Sequence, residues 1–214
     1  ELLGHGLIRL SNTLDFFNYF FIIFLIFLRD GFCLGRLAPR GRRWYNTRMA
    51  EYKHIKREFG PVYDANSKIL ILGSFPSVKS RQANFFYGHP QNRFWPLLSR
   101  VLERDFPADT AGRRAILLAR GVALWDVIEE CDIIGSSDSS IRNVIPVDIM
   151  AVLSAADIRA IYCNGAASYS LFMRYLAPLC GRTPVKLPST SPANAAWSME
   201  RLYGEWRQIR AALD

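Results

Sequence analysis

The stretch Tyr87 to Leu98, YGHPQNRFWPLL, sets a His, a Gln, an Asn and an Arg among a Tyr, a Phe and a Trp, broken by Pro90 and Pro96. A core segment has no need of His-Pro-Gln-Asn, and a surface loop has no need of so many aromatic rings. Side-chain amides beside aromatic faces suit a planar heterocycle, because rings stack on its face and amides read its edge. Two further runs are rich in small hydroxyl residues: GSFPS, Gly73 to Ser77, and LPSTSPANA, Leu187 to Ala195. The hydroxyls and backbone N–H groups of such loops are suited to holding phosphate oxygens.

Other chemistries lack their residues. No G-x-x-x-x-G-K-[ST] follows Gly73, so there is no nucleotide phosphate cradle. No G-x-S-x-G marks a hydrolase nucleophile. The histidines are His5, His54 and His89, and only His89 falls within one of these runs. The cysteines, at 33, 131, 163 and 180, form no C-x-x-C and sit with no His at metal-ligand spacing. No metal, iron–sulfur cluster or other cofactor is therefore expected, and the thiols are expected to be reduced.

The elements that must position these runs alternate. Lys68 to Ser74, KILILGS, reads as a buried strand running into a loop, and VALWDVI as a second. IRAIYCNG and TPVKLPST read as a third and a fourth. Between them RFWPLLSRVLERDF, TAGRRAILLARG, IPVDIMAVLSAA and AASYSLFMRYLAPL carry helical spacing, and AWSMERLYGEWRQIRAALD forms a C-terminal amphipathic helix. Buried strands alternating with helices predict an α/β domain, a three-layer α/β/α sandwich around a central four-stranded, mostly parallel sheet. Ligands of such sheets bind beyond the carboxyl ends of the strands. Gly73-Ser74, Trp125-Asp126, Asn164-Gly165 and Pro188-Ser189 occupy those ends, so their loops are expected to converge on one crevice.

The chain has 214 residues, half of them hydrophobic, and a net charge of +8. That is globular composition, and its basic balance suits an anionic partner. Residues 1–48 hold seven Arg against three acids, and the rest holds 20 basic against 16 acidic residues, so the putting of charge alone does not pick out a DNA-binding face. The apolar run FFNYFFIIFLIFL, Phe16 to Leu28, falls short of the roughly 20 residues of a membrane span. Residues 1–48 are expected to be an N-terminal extension, with upstream translation and a membrane anchor as its two readings; residues 49–214 are expected to form a single domain.

GSFPS, YGHPQNRFW and LPSTSPANA, in that order, resemble the uracil-DNA glycosylase superfamily and within it the hypoxanthine-DNA (deoxyinosine) glycosylase branch. The resemblance runs from about Tyr63 to Ala212. HPQNRFW is also similar to the HPANRFW of the mismatch-specific uracil glycosylases, which makes a mismatch uracil or thymine glycosylase the alternative. A DNA-binding module without catalysis is a further one, because most branches place an Asp or Asn where Phe75 stands. Leu187 likewise replaces the His of a common His-Pro-Ser motif.

The resemblance implies hydrolysis of the N-glycosidic bond of hypoxanthine in double-stranded DNA, leaving an abasic site. It implies that Asn92 steers the attacking water through its carbonyl oxygen. As a helix N-cap, Asn92 also has a purely local role. Tyr87 aligns with an aromatic that stacks on the base, an interaction worth about 1–3 kcal/mol; packing beneath its loop is the bland reading. Gly73, Ser74 and Phe75 are expected at the base, Phe75 on the pocket floor. Asn164 reads the base edge or serves as the turn residue beside Gly165. Ser77, Pro188, Ser189, Thr190 and Ser191 are expected to hold phosphates or fill the gap in the duplex. Phe94 and Trp95 are expected in the core. A monomeric, cytoplasmic repair enzyme with no membrane partner completes the expectation.

Overall fold

A computed structural model of the chain describes residues 51–214. The apolar run, the Arg-rich segment and Met49 lie outside the described residues, as does the boundary set at residue 49.

The central sheet is built from β2 (Ile69–Gly73), β3 (Val122–Asp126), β6 (Ala160–Asn164) and β7 (Val185–Leu187), in the order β3-β2-β6-β7. Every pairing in it is parallel. All residues of β2 and β3 are buried, so both faces of these strands are covered. The helices are α1 (Val78–Gln82), α2 (Phe94–Leu102), α3 (Thr110–Ala119), α4 (Met150–Leu153), α5 (Ala166–Tyr175), α6 (Ala177–Cys180) and α7 (Met199–Trp206). A 3₁₀ turn, Arg207–Ala212, continues α7, where the sequence pattern predicts one unbroken helix. Phe94, Phe172 and Trp206 are the largest side chains wholly inside the core, and Trp95 is 7% exposed.

The stretch after β3 departs from the expected order. Periodicity predicts a loop after Asp126 and a helix over Ile145 to Ala156. Instead β1 (Lys53–Lys56), β4 (Ile128–Ile133) and β5 (Arg142–Pro146) form a separate antiparallel sheet, order β1-β4-β5. Only Met150–Leu153 is α-helical there. Ile128, Cys131 and Ile133 point into the core while Glu129, Glu130 and Asp132 do not, so acidic residues mask the apolar spacing. Glu130 and Asp132 are offset by Lys56, His54 and Arg142 from the neighbouring strands, a pairing of charges that lets an acidic segment run as a strand.

The junction between the sheets sits at the carboxyl end of β2. Val127 and Ile128 donate N–H bonds to the carbonyls of Gly73 (3.0 Å) and Ser74 (3.2 Å). Ser168 of α5 is fully buried and donates its hydroxyl to the carbonyls of Leu72 and Gly73. The end of β2 is thereby fixed from two sides.

Candidate active site

The loops after β2, β3, β6 and β7 meet, as the strand-end rule predicts, around a cleft of about 500 Å³. Gly73, Ser74, Phe75 and Ser77 line it from the first loop, and Tyr87 and Asn92 from the segment before α2. Asn164 lines it from the end of β6, and Ser189, Thr190 and Ser191 from the loop after β7. Pro188 does not line the cleft; its carbonyl accepts the Trp206 indole N–H at 3.0 Å, which ties the loop to α7.

A chain of polar side chains crosses the cleft. The Thr190 backbone N–H donates to Asn164 Oδ1 (3.0 Å), and Asn164 Nδ2 donates to Thr190 Oγ1 (2.9 Å). The Thr190 hydroxyl in turn donates to Asn92 Oδ1 (2.9 Å), which also accepts the N–H of Phe94, the first residue of α2 (2.9 Å). Backbone N–H groups fix which end of each amide is oxygen. Thr190 is fully buried, so this chain is sheltered from water and rigid.

These bonds alter what Asn92 offers. The expected route holds water on its carbonyl oxygen, but both lone pairs of that oxygen are engaged. Asn92 Nδ2 has no partner among the described residues and is not sealed from solvent. The N-cap position of α2 is Arg93, and Asn92, one residue before it, ties down the first helical N–H; this local bond and a place on the cleft wall coexist, and the free group is a donor.

Tyr87 lies with one face against Phe94, ring centroids 3.7 Å apart at 18°. Its backbone is left-handed, φ +53. Its hydroxyl is buried without a partner among the described residues. Burial and then the Asp126 charge hold that phenol well above its usual pKa, with the Asn164 amide opposing. Phe75, 8% exposed, lines the cleft with the Arg81 guanidinium 5.8 Å from its ring centroid.

The hydroxyls hold their own loops. Ser77 caps α1 through the Ser80 N–H. Ser189 accepts the Ser191 N–H (3.2 Å), and Ser191 accepts the Ala193 N–H (3.3 Å). Each of these two leaves an O–H to donate outward. The Ser74 hydroxyl donates to Asp138 Oδ1 at 2.7 Å. Gly165, at φ +104, needs its missing side chain, since a Cβ there would meet Ser189 Cβ at 2.9 Å.

Two groups escape the sequence reading. Arg93, the N-cap residue of α2, donates to the carbonyls of Ser191 (2.8 Å), Asn194 (3.0 Å) and Trp197, and so clamps the loop that carries Thr190. Asp126, given no role in the sequence reading beyond a strand end, lines the cleft although it is only 4% exposed. Its Oδ2 has no hydrogen-bond partner among the described residues. Burial pushes its carboxyl up to about 6; Arg57 opposes the rise and Asp138 adds to it. A Cβ on Gly73 would stand 2.2 Å from Asp126 Oδ1, so Gly73 gives this carboxylate its room. Its position at a strand end was the available signal.

Among the described residues, no group of three or more His, Cys, Asp or Glu side chains is placed to hold a metal ion. Among the described residues, no helix is long and apolar enough to cross a membrane.

The model of the uracil DNA glycosylase superfamily matches residues 61–210. A hypoxanthine DNA glycosylase of Methanosarcina acetivorans is 34% identical over 160 residues, 72% of this chain and 98% of that protein. A hypoxanthine DNA glycosylase of Methanosarcina barkeri is 34% identical over 116 residues, 53% of this chain and 73% of that protein. The solution NMR structure of a Methanosarcina acetivorans protein described as a candidate uracil DNA glycosylase superposes with a TM-score of 0.64 at 31% identity, covering 74% of this chain and 98% of that one. The parallel sheet, the cleft at its strand ends and these matches lead to one conclusion: the chain belongs to the uracil DNA glycosylase superfamily.

Proposed function

We propose that this chain is a DNA glycosylase that removes hypoxanthine from double-stranded DNA by hydrolysis, leaving an abasic site. The observation that carries the reading is the Asn92–Thr190–Asn164 chain across a cleft whose first loop bears Phe75 where an acid or amide would activate water. Both curated relatives named above are called hypoxanthine DNA glycosylases, which supports the same substrate.

The transition state is a sugar cation with negative charge growing on the departing base. Such a cation needs a well-placed water more than a strong base. Asn92 Nδ2 holds that water by one lone pair, leaving the other for the sugar carbon. The rigid chain through Thr190 keeps the amide in place without reorganisation. The base lies against the Tyr87 side of the cleft, with Phe75 beneath it. The Ser189 and Ser191 hydroxyls donate to backbone phosphates.

Asp126 Oδ2 and the Tyr87 hydroxyl read the edge of the base. A carboxylate accepts the N1–H of hypoxanthine and a phenol donates to O6. Adenine presents the opposite order, an acceptor at N1 and a donor at N6, and is refused by an ionised Asp126. Uracil and thymine share the lactam order, so the preference for hypoxanthine rests on Phe75 and on the relatives. The enzyme acts as a monomer in the cytoplasm and needs no metal for these steps.

The test incubates the full chain with duplexes holding inosine, uracil or thymine opposite each base, followed by alkali. Strand scission at inosine is the expected result. Scission only at uracil or thymine points to mismatch repair, and binding without scission to a non-catalytic module; either result sinks the proposal.

A further inference from the structure

Hydrolysis has a proton to place. The attacking water bonds to the sugar carbon and must shed one, yet the Asn92 oxygen has no lone pair to spare and its Nδ2 only donates. Among the described residues, the titratable side chains that line the cleft are Lys79, Tyr87, His89, Asp126 and Asp138. A lysine ammonium has no acceptor, and burial holds the Tyr87 phenol in its protonated form. His89 Nδ1 accepts the Gln91 N–H (3.2 Å), which puts the ring's own proton on Nε2 and leaves no free lone pair. Asp126 is 4% exposed and is taken up by the edge of the base. Asp138 remains.

Asp138 opens a 3₁₀ turn, Asp138–Ser140, between β4 and β5, and belongs to none of the three runs rich in hydroxyls, amides and rings. Its loop is pinned across the cleft twice. Asp138 Oδ1 accepts the Ser74 hydroxyl (2.7 Å), and Ser136 Oγ accepts the Val78 N–H (2.9 Å). Ser140 Oγ accepts the Ile134 N–H (2.9 Å), which closes the loop on itself. The Asp138 side chain is exposed, and its Oδ2 has no hydrogen-bond partner among the described residues. A carboxylate in a cleft for DNA repels phosphates and so works against binding. Ser74, which holds it, is the neighbour of Phe75: the loop that lacks an acid of its own grips one from the antiparallel sheet.

We propose that Asp138 is the proton acceptor of the reaction, the carboxylate that takes a proton from the attacking water. The proposal rests on the glycosylase reading above. Asn92 Nδ2 donates to one lone pair of the water, the other lone pair attacks C1′, and one O–H of the water is directed to Asp138 Oδ2. The C1′–N9 bond breaks and its electron pair leaves with the base. The O–C1′ bond forms, the water's proton passes to Asp138 Oδ2 and on to solvent, and the departing base takes a proton from solvent. With Oδ1 held by Ser74, Oδ2 is in place without reorganisation.

The test compares wild type, Asp138→Asn and Asp138→Ala, each as the full chain, in single-turnover excision from an inosine duplex and in equilibrium binding to the same duplex. Asp138→Asn keeps an oxygen for the Ser74 hydroxyl and loses the proton acceptor. Its excision rate should fall about 10²-fold or more, while it binds DNA as tightly as wild type or more tightly, because a repelling charge is gone. A residue that only shaped its loop would tolerate this near-isosteric change. In Asp138→Ala, added formate should restore part of the lost rate in proportion to its concentration, and chloride at equal ionic strength should not. Wild-type rates in Asp138→Asn overturn the proposal, as does a slow Asp138→Ala protein that binds DNA normally and does not respond to formate. Should Asp138→Ala not fold, the rate and affinity of Asp138→Asn decide. Failure of the underlying reading shows in wild type itself: release of uracil or thymine in place of hypoxanthine moves the same comparison to that duplex, and release of no base removes both.

Discussion

The Thr190 hydroxyl donates to Asn92 Oδ1 at 2.9 Å, joining two runs 98 residues apart in the chain. Through this contact the loop after β7 sets an amide on the cleft wall, the one proposed to hold the attacking water. Both ends of the contact are constrained: Thr190 by Asn164, Asn92 by the Phe94 N–H.

Asn92→Ala removes the free donor, the acceptor of the Phe94 N–H and the partner of Thr190 together. Excision from inosine is expected to fall about 10²- to 10³-fold, with about 1 kcal/mol of stability lost with the bond to the Phe94 N–H. Asn92→Asp retains the accepting oxygen but has no Nδ2. It should keep the wild-type Tm at neutral pH and still lose excision, as stopped single-turnover assays would register. An Asn92→Asp protein with wild-type rates would mean that the donor is not used.

Thr190→Val preserves shape and deletes the hydroxyl. Asn92 Oδ1 and Asn164 Nδ2 each lose a partner, at a cost of about 1–3 kcal/mol. Urea unfolding should record that loss, and Thr190→Ser should recover much of it. Equal stability in Val and Ser variants would show the hydroxyl to be incidental.

Much of this arrangement was legible in the chain, for identifiable reasons. Ile69 to Leu72 is an unbroken apolar run because both faces of β2 are buried, and continuous burial leaves a continuous hydrophobic string. The strand-end rule then directs attention to Gly73, Asn164 and Thr190, all of which line the cleft. The antiparallel sheet was hidden because Glu129, Glu130 and Asp132 interrupt its apolar residues, and the β1 partners of Glu130 and Asp132 lie more than 70 positions away. For Asn92, residue type pointed to the helix start and the cleft, while its place one residue before the N-cap and the occupied oxygen emerged only from the fold.

Gly73→Ala places a Cβ 2.2 Å from Asp126 Oδ1, so the carboxylate must shift. A displacement of about 1 Å at a reacting centre costs on the order of 100-fold in rate. Activity on inosine duplexes should drop accordingly, while DNA retention in a gel-shift assay stays close to wild type. Unchanged excision would detach Asp126 from the base.

Asp126 also makes a prediction for stability. Its carboxyl is raised from 3.8 to about 6 in the folded chain. Between these values the native state keeps a proton that the unfolded chain has released, so this group's contribution to stability declines as pH rises across that window. Comparing wild type with Asp126→Asn by thermal unfolding at about pH 4 and about pH 7 should show the larger loss on going to neutral pH in wild type. Parallel behaviour of the two proteins would contradict the raised carboxyl.

The most direct measurement is the identity of what leaves the DNA. The full chain, in molar excess over an inosine-containing duplex, is incubated and the supernatant separated by chromatography with mass detection. The account predicts free hypoxanthine in amounts equal to the alkali-labile sites formed. No free base, or strand cleavage with inosine still attached to its sugar, would contradict it.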